Sequence, residues 1–211
     1  MRWPGHFVRR VAVENHNDTA APRVSLHASM VGTAKLIFSS SVEPLIKVSW
    51  DKLKPETKQK LNGLRLGPPH KLEPAYPSDV WATAVKLMSA DLFTELPAEE
   101  QHRELGRATV QQFTEGMLGK AMFSAARLFG ARRTLERLSH NLRSGANFIE
   151  TRFSIVGPDA YELWLNDVTD VPGFYAGILS SGAGKIDGWP DRIEVKHRDG
   201  ASCTYTLTSA R

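Results

Sequence analysis

The chain has 211 residues, 41% hydrophobic and 24% charged, a balance that excludes disordered and fibrous classes and is enough for a sizeable core. Its 27 Lys and Arg against 23 Asp and Glu leave a formal charge of +4, short of the basic excess that marks a nucleic-acid binder. No run approaches the roughly 18–20 consecutive apolar residues of a membrane span. The single cysteine, Cys203, excludes an internal disulfide and a multi-cysteine metal site. Residues 1–17 lack the apolar core and cleavage site of a secretory signal, so a cytoplasmic location is expected.

Residues 1–23 mix Trp3, Pro4, Gly5, Arg9 and Arg10 with a polar run and show no helix or strand period, which predicts a flexible leader before one domain over 24–211. Residues 31–48 carry Leu36, Ile37, Val42, Leu45 and Ile46 around Ser39, Ser40 and Ser41, and are read as one helix or as a strand followed by a helix. Pro55 and Glu56 open a short helix that ends near Gly63, and the four prolines of residues 67–77 predict a connecting loop.

Ser78 is placed to cap a helix in which Val80, Trp81, Val85, Met88, Leu92 and Phe93 recur at helical spacing. Pro97, Glu99 and Glu100 open the next one. It runs through Leu105, Val110 and Phe113 towards Met117, with a kink or break at Gly116 and Gly119 and an end at Gly130. Leu135, Leu138 and Leu142 mark a further helix with Gly145 as its C-cap.

After Gly145 the period changes from 3.6 to 2. Residues 148–156 and 161–168 are predicted strands joined at Gly157, Pro158 and Asp159. Pro172 opens a helix with Phe174, Tyr175, Ile178 and Leu179, and residues 193–196 and 204–207 form a second hairpin around Asp199 and Gly200. The expected fold is α+β: a helical part over about 31–145 packed on a four-stranded antiparallel sheet over about 146–208, in β-β-α-β-β order.

Several stretches carry a resemblance: Leu105-Gly106-Arg107, Gly119-Lys120-Ala121, the run from Gly130 through Arg132, Arg133 and Arg137 to Leu138, and Gly173-Phe174-Tyr175-Ala176-Gly177-Ile178-Leu179. With Phe38 to Val42 and Tyr76-Pro77-Ser78, they resemble a paralogous family of bacteria, expanded in myxobacteria, without established function. More distantly, Asp159-Ala160-Tyr161-Glu162-Leu163 followed by the Phe174 helix is similar to the C-terminal half of haem-nitric-oxide-binding and vinyl-reductase-like sensor domains. That resemblance implies a pocket between helices and sheet for haem or an apolar effector.

The same resemblance implies an axial histidine on the helix before the sheet and a Tyr-x-Ser-x-Arg clamp on the haem propionates. Here the axial position falls near Glu136 and the clamp on Leu165-Asn166-Asp167-Val168-Thr169, so neither motif is present. His140, four residues after Glu136, lies on the same helix face and leaves altered haem ligation as a minor alternative beside a structural histidine. The seven histidines show no metal-ligand spacing. Gly182-Ala183-Gly184-Lys185 lacks the phosphate-loop spacing, and the serines have no sequence-visible base.

Catalysis therefore has no support in the sequence, and a non-enzymatic small-molecule-binding or regulatory module is expected, its cofactor unspecified. Phe113, Met117, Met122, Phe123, Trp164 and Tyr175 are candidates to line an apolar pocket, since methionine and aromatic side chains adapt to irregular ligands. Arg152 and His140 are the candidate polar groups at its rim. At helical spacing, ordinary core packing is the competing reading for all the apolar ones. The implied ligand is small and apolar or amphipathic. An interaction or homodimerisation module without ligand is the alternative. Arg127, Arg132, Arg133, Arg137 and Arg143, opposed locally by Glu136 alone, read as a solvated helix face, with an anionic ligand or nucleic acid as the less favoured alternative.

Overall fold

In the computed structural model, residues 34–158 and 160–209 are described. The expected leader over 1–23, and the start of the domain at 24, lie outside them. The described chain is a mixed helix and sheet structure with a four-stranded antiparallel sheet, as the change of period at Gly145 predicts.

Residues 31–48 resolve, where described, into a strand and a helix: β1 (Leu36–Phe38) runs directly into α1 (Ser39–Ser49). A 3₁₀ turn at Trp50–Lys52 leads to α2 (Pro55–Gly63), which starts on the proline at its first position. The proline-rich stretch is not loop throughout. Its end, β2 (Ala75–Pro77), pairs antiparallel with β1, and a proline suits such a short edge strand because no ladder N–H is asked of it.

Helix α3 (Ser78–Leu92) begins at Ser78, but Pro77 holds the N-cap position and no side chain caps the helix. The Ser78 N–H instead donates to the Lys35 carbonyl at 2.9 Å, so the β1–β2 ribbon replaces the expected serine cap. Helix α4 (Ala98–Glu115) turns at Gly116 into α5 (Met117–Glu136), which is broken at Gly130 with φ 72 and ψ 174. That conformation is open to glycine and costly for other residues. Helix α6 (Leu138–Arg143) follows.

The sheet is built from β3 (Thr151–Gly157), β4 (Ala160–Leu165), β5 (Arg192–Asp199) and β6 (Ser202–Thr208), adjacent in the order β3-β4-β6-β5, with α7 (Pro172–Ser180) between β4 and β5 in the chain. β3 starts at Thr151 rather than 148, because the preceding residues are drawn elsewhere. Ala146 bridges Ile37, the Asn147 N–H donates to Leu36 O at 3.1 Å, and the Asn166 side chain ties Glu150 N and Phe148 O.

The core sits where α7 meets the sheet on one side and α3 and α4 on the other. Cys203, Tyr205 and Leu207 alternate along β6, and Leu163 and Leu165 along β4, all buried, as a period of two places every second side chain on one face. The buried Tyr205 hydroxyl donates to the Pro172 carbonyl at 2.9 Å and fixes the start of α7 over the sheet. The turn before it holds Thr169 and Asp170 at positive φ; Asp167 accepts the Thr169 N–H at 2.7 Å, and Asp170 accepts from Lys86 at 2.6 Å and Arg198 at 3.1 Å.

Helices α4 and α7 touch backbone to backbone. A Cβ built on Gly106 would lie 2.2 Å from the Phe174 carbonyl oxygen, one on Gly173 2.2 Å from Glu99 O, and one on Gly177 2.1 Å from Arg103 O. The glycines in the two most distinctive stretches of the sequence are thus the residues that allow this approach.

Candidate functional site

A cavity of about 220 Å³ is lined in part by this helix pair. Val110 and Phe113 of α4, Met122, Phe123 and Ala126 of α5, and Leu138 and Leu142 of α6 form one wall. Trp81 of α3, Phe174, Tyr175, Ile178 and Leu179 of α7, and Ile186 and Trp189 of the following loop form the other. Trp81 and Phe174 meet edge to face at 5.1 Å and 88°, a favourable arrangement of ring quadrupoles that holds the floor rigid.

The wall is apolar and, where polar, mostly self-satisfied. The Thr109 hydroxyl donates to Leu105 O at 2.8 Å, Thr134 to Gly130 O at 2.8 Å, Ser40 to Ser144 O at 3.2 Å, and the Trp189 indole to Leu179 O at 2.7 Å. Among the described residues, none that lines it is an Asp, Glu, Lys, Arg, His or Cys. One donor is left over: the buried Trp81 Nε1 has no hydrogen-bond partner among the described residues. An unsatisfied buried donor costs on the order of 1–3 kcal/mol.

The sequence-predicted site residues divide sharply. Phe113, Met122, Phe123 and Tyr175 lie together on the cavity wall. Met117 does not: it is 88% exposed and borders a shallower outer hollow of about 330 Å³ with Glu43, Lys47 and Glu115. The two hollows share Ser40, Pro44, Phe113 and Leu118, so they adjoin.

Trp164 and Arg152 are on the far face of the sheet. Leu163 and Leu165 occupy the inward positions of β4, so Trp164 between them faces out, opposite Arg152 of β3, whose guanidinium stacks over the indole at 4.4 Å. His140 is exposed and not part of the wall. The pocket is also not between helices and sheet. Among the described residues no member of the four-stranded sheet lines it, because α7 and the alternating β4 and β6 side chains fill that space.

Trp81 and Trp189 were not foreseen as site residues. Trp81 carries the helical period of α3, which is a packing signal. Trp189 sits between Gly188 and Pro190 in a loop without period, so its place at the cavity comes from tertiary contacts, the packing of its ring on Gly182 and its bond to Leu179 O.

Residues 35–208 match a family described as a protein of unknown function, DUF2378. The chain belongs to that family. No curated protein is similar to it. Among solved structures the fold matches H-NOX domains. A doubly substituted Tt H-NOX is 17% identical at a TM-score of 0.60, covering 83% of this chain and 96% of that one. An unliganded Fe(II) H-NOX variant from K. algicida is 10% identical at 0.61, covering 83% and 97%. An oxygen-binding H-NOX domain related to soluble guanylate cyclases is 14% identical at 0.54, covering 80% and 90%. At these identities the likeness is one of fold.

The residues present do not fit a haem. The cavity wall offers iron only the Met122 thioether and the Tyr175 hydroxyl, and full burial pushes the Tyr175 hydroxyl far above the ordinary phenol range, against forming the phenolate. Among the described residues no cation lines the wall to receive propionates. Glu136, at the axial position of the resemblance, is exposed and paired with Arg132 at 3.0 Å, while the clamp segment is committed to structure through Asn166 and Asp167, the latter bound by Lys35 at 2.7 Å. The volume is also small against the roughly 300–1,000 Å³ of pockets for drug-sized ligands.

Proposed function

We propose that this protein is a non-enzymatic, sensor-type module that binds a small neutral molecule in the helical cavity: an apolar body with one hydrogen-bond acceptor for Trp81 Nε1. The observation that carries this reading is an apolar cavity whose wall has no charged residue among the described residues, with the buried Trp81 Nε1 left unpartnered in one of its lining residues. An apolar cavity of roughly 150 Å³ stays dry and takes up benzene-sized molecules, and about 220 Å³ suits a somewhat larger one. Burial of its apolar surface supplies most of the affinity, at about 25 cal/mol per Å² before the costs of association. The hydrogen bond supplies orientation.

Charged amphiphiles would have to leave their polar end in the outer hollow, beside the Glu43–Lys47 pair at 2.7 Å. Helix α5 is the element best placed to report occupancy. It contributes Met122, Phe123 and Ala126 to the wall, yet is held to the loop after α7 by the Arg127 Nε to Lys185 O bond at 3.2 Å and the Ala131 N to Asp187 O bond at 3.2 Å. A ligand that fills the space under it favours its docked state by its own binding free energy.

Calorimetric titration with acetophenone and with α-methylstyrene, which carries a methylene in place of the carbonyl oxygen and so keeps the shape while lacking the acceptor, tests the proposal. Acetophenone is expected to bind about 2- to 10-fold tighter, the worth of one net hydrogen bond, and Trp81→Phe is expected to erase the difference. Ala126→Phe, which fills the cavity, should abolish binding of both. Equal binding of the two probes removes Trp81 from the site. No binding of either to a folded protein overturns the cavity as a ligand site.

A further inference from the structure

Helix α5 is apolar on both sides. At 3.6 residues per turn Gly119, Met122 and Ala126 face inward, while Met117, Ala121, Ser124 and Leu128 share the opposite face, all of them exposed. Met117 and Leu128 are 88% and 86% exposed, and Leu118 and Phe129 at the edge of that face are also open. An outward helix face of this kind lacks the polar coat expected of a surface helix.

The charges beside it are of one sign. Lys120 and Arg127 flank the face on one side, and Arg132, Arg133 and Arg137 follow on the same helix and just after it, all exposed. Glu136 is the sole acid from 117 to 143, and it is taken by Arg132. Lys120 and Arg133 have no acidic partner among the described residues, and the Arg137 guanidinium lies 5.1 Å from the exposed Phe129 ring, so cation and apolar surface are interleaved.

We infer that the outer face of α5 docks on an anionic lipid bilayer, with Met117, Leu118, Leu128 and Phe129 in the interface and the flanking Lys and Arg on lipid phosphates. An apolar stripe bordered by unpaired cations is the combination that anionic interfaces select. A second copy of the chain fits less well: a two-fold contact through α5 would bring two sets of Lys120, Arg127 and Arg133 together with no free acid on either helix to separate them. Nucleic acid would use the charges and leave the four apolar side chains without a role. The inference shares Leu118 with the lining of both hollows and Met117 with the outer one, but it rests on the exposed side of α5 and requires no ligand in the cavity.

Co-sedimentation of the full chain with vesicles of phosphatidylcholine, with and without phosphatidylglycerol, tests it. Binding is expected only with phosphatidylglycerol, weakening as salt is raised. Met117→Ser with Leu128→Ser, at positions too exposed to disturb folding, should abolish it. Lys120→Gln with Arg133→Gln should weaken it by about fivefold per charge removed. Ala126→Phe should leave it unchanged, which separates this result from the fate of the cavity proposal. The inference is overturned if the chain ignores phosphatidylglycerol vesicles, if binding survives the paired serine substitutions, or if those substitutions instead dissolve a homodimer seen by sedimentation velocity.

Discussion

The α4–α7 pair and the α5–α6 segment pack against the same interior by opposite means. In the first, Gly106, Gly173 and Gly177 bring two backbones together until no Cβ fits between them, and Phe174, Tyr175, Ala176 and Leu179 are nearly or wholly buried. In the second, α5 is broken at Gly130, buries mainly small residues such as Gly119, Ala126 and Ala131, and leaves Met117 and Leu128 in the open. A close-packed helix pair cannot adapt; a helix seated over a cavity can. The difference places the close-packed pair beside the sheet and the cavity beneath α5.

Breaking the rigid side should have the largest effect. Gly177→Ala puts a methyl at 2.1 Å from the Arg103 carbonyl oxygen, where the obstacle is backbone and cannot rotate away. A loss of about 3 kcal/mol or more is expected, the upper end of overpacking costs, read as a lower urea midpoint. Gly63→Ala near the end of α2, where nothing lies within 4 Å of the added carbon, should be neutral or stabilising by about 0.4–1 kcal/mol. Equal effects of the two substitutions would show that α4 and α7 can separate at little cost.

These glycines also show what a single sequence reveals. Their stretches are distinctive enough to carry a resemblance, yet periodicity treats a helical glycine only as a weak spot, and its reason is a neighbour about 70 residues away. Elements bounded by local chemistry were legible: Pro55 and Gly63 frame α2, Pro172 opens α7, and Asp199 and Gly200 turn β5 into β6. The cavity was legible in part. Phe113, Met122 and Phe123 come from the pocket that the resemblance implies, since helical spacing alone reads them as core, but Trp164 needs the parity of β4, and Leu163 and Leu165 take the inner face. Arg152 goes outward with it. Trp189 depends on a loop path that no period encodes.

Titration gives a second way to weaken the rigid side. His102 of α4 is buried, its Nδ1 has no partner among the described residues, and burial, with Lys86 nearby, lowers its pKa below the ordinary 6.5, against the opposing pull of Glu99 and Asp170. The unfolded chain therefore takes up the proton first as pH falls. Stability is fully present above about 6.5 and declines below it, through the folded pKa. The urea midpoint should drop between pH 7.5 and 5.5, and His102→Gln should flatten that slope; an unchanged slope would assign it to other groups.

The smallest effect is expected on α5, and it sharpens the contrast most. Leu128 has the size of the fully buried Leu105 of α4 but is 86% exposed. Truncating a buried leucine costs about 2–5 kcal/mol, whereas a surface substitution usually stays within about 0.5 kcal/mol. Leu128→Ser should therefore leave the urea midpoint almost where it was, while Leu105→Ala lowers it steeply. A loss above about 1 kcal/mol for Leu128→Ser in dilute monomer would mean that the outer face of α5 is already covered within the chain, and the lipid-docking inference would fall with it. A neutral result leaves the leucine with no role in holding the fold, so its use has to be sought in what the helix meets outside the protein.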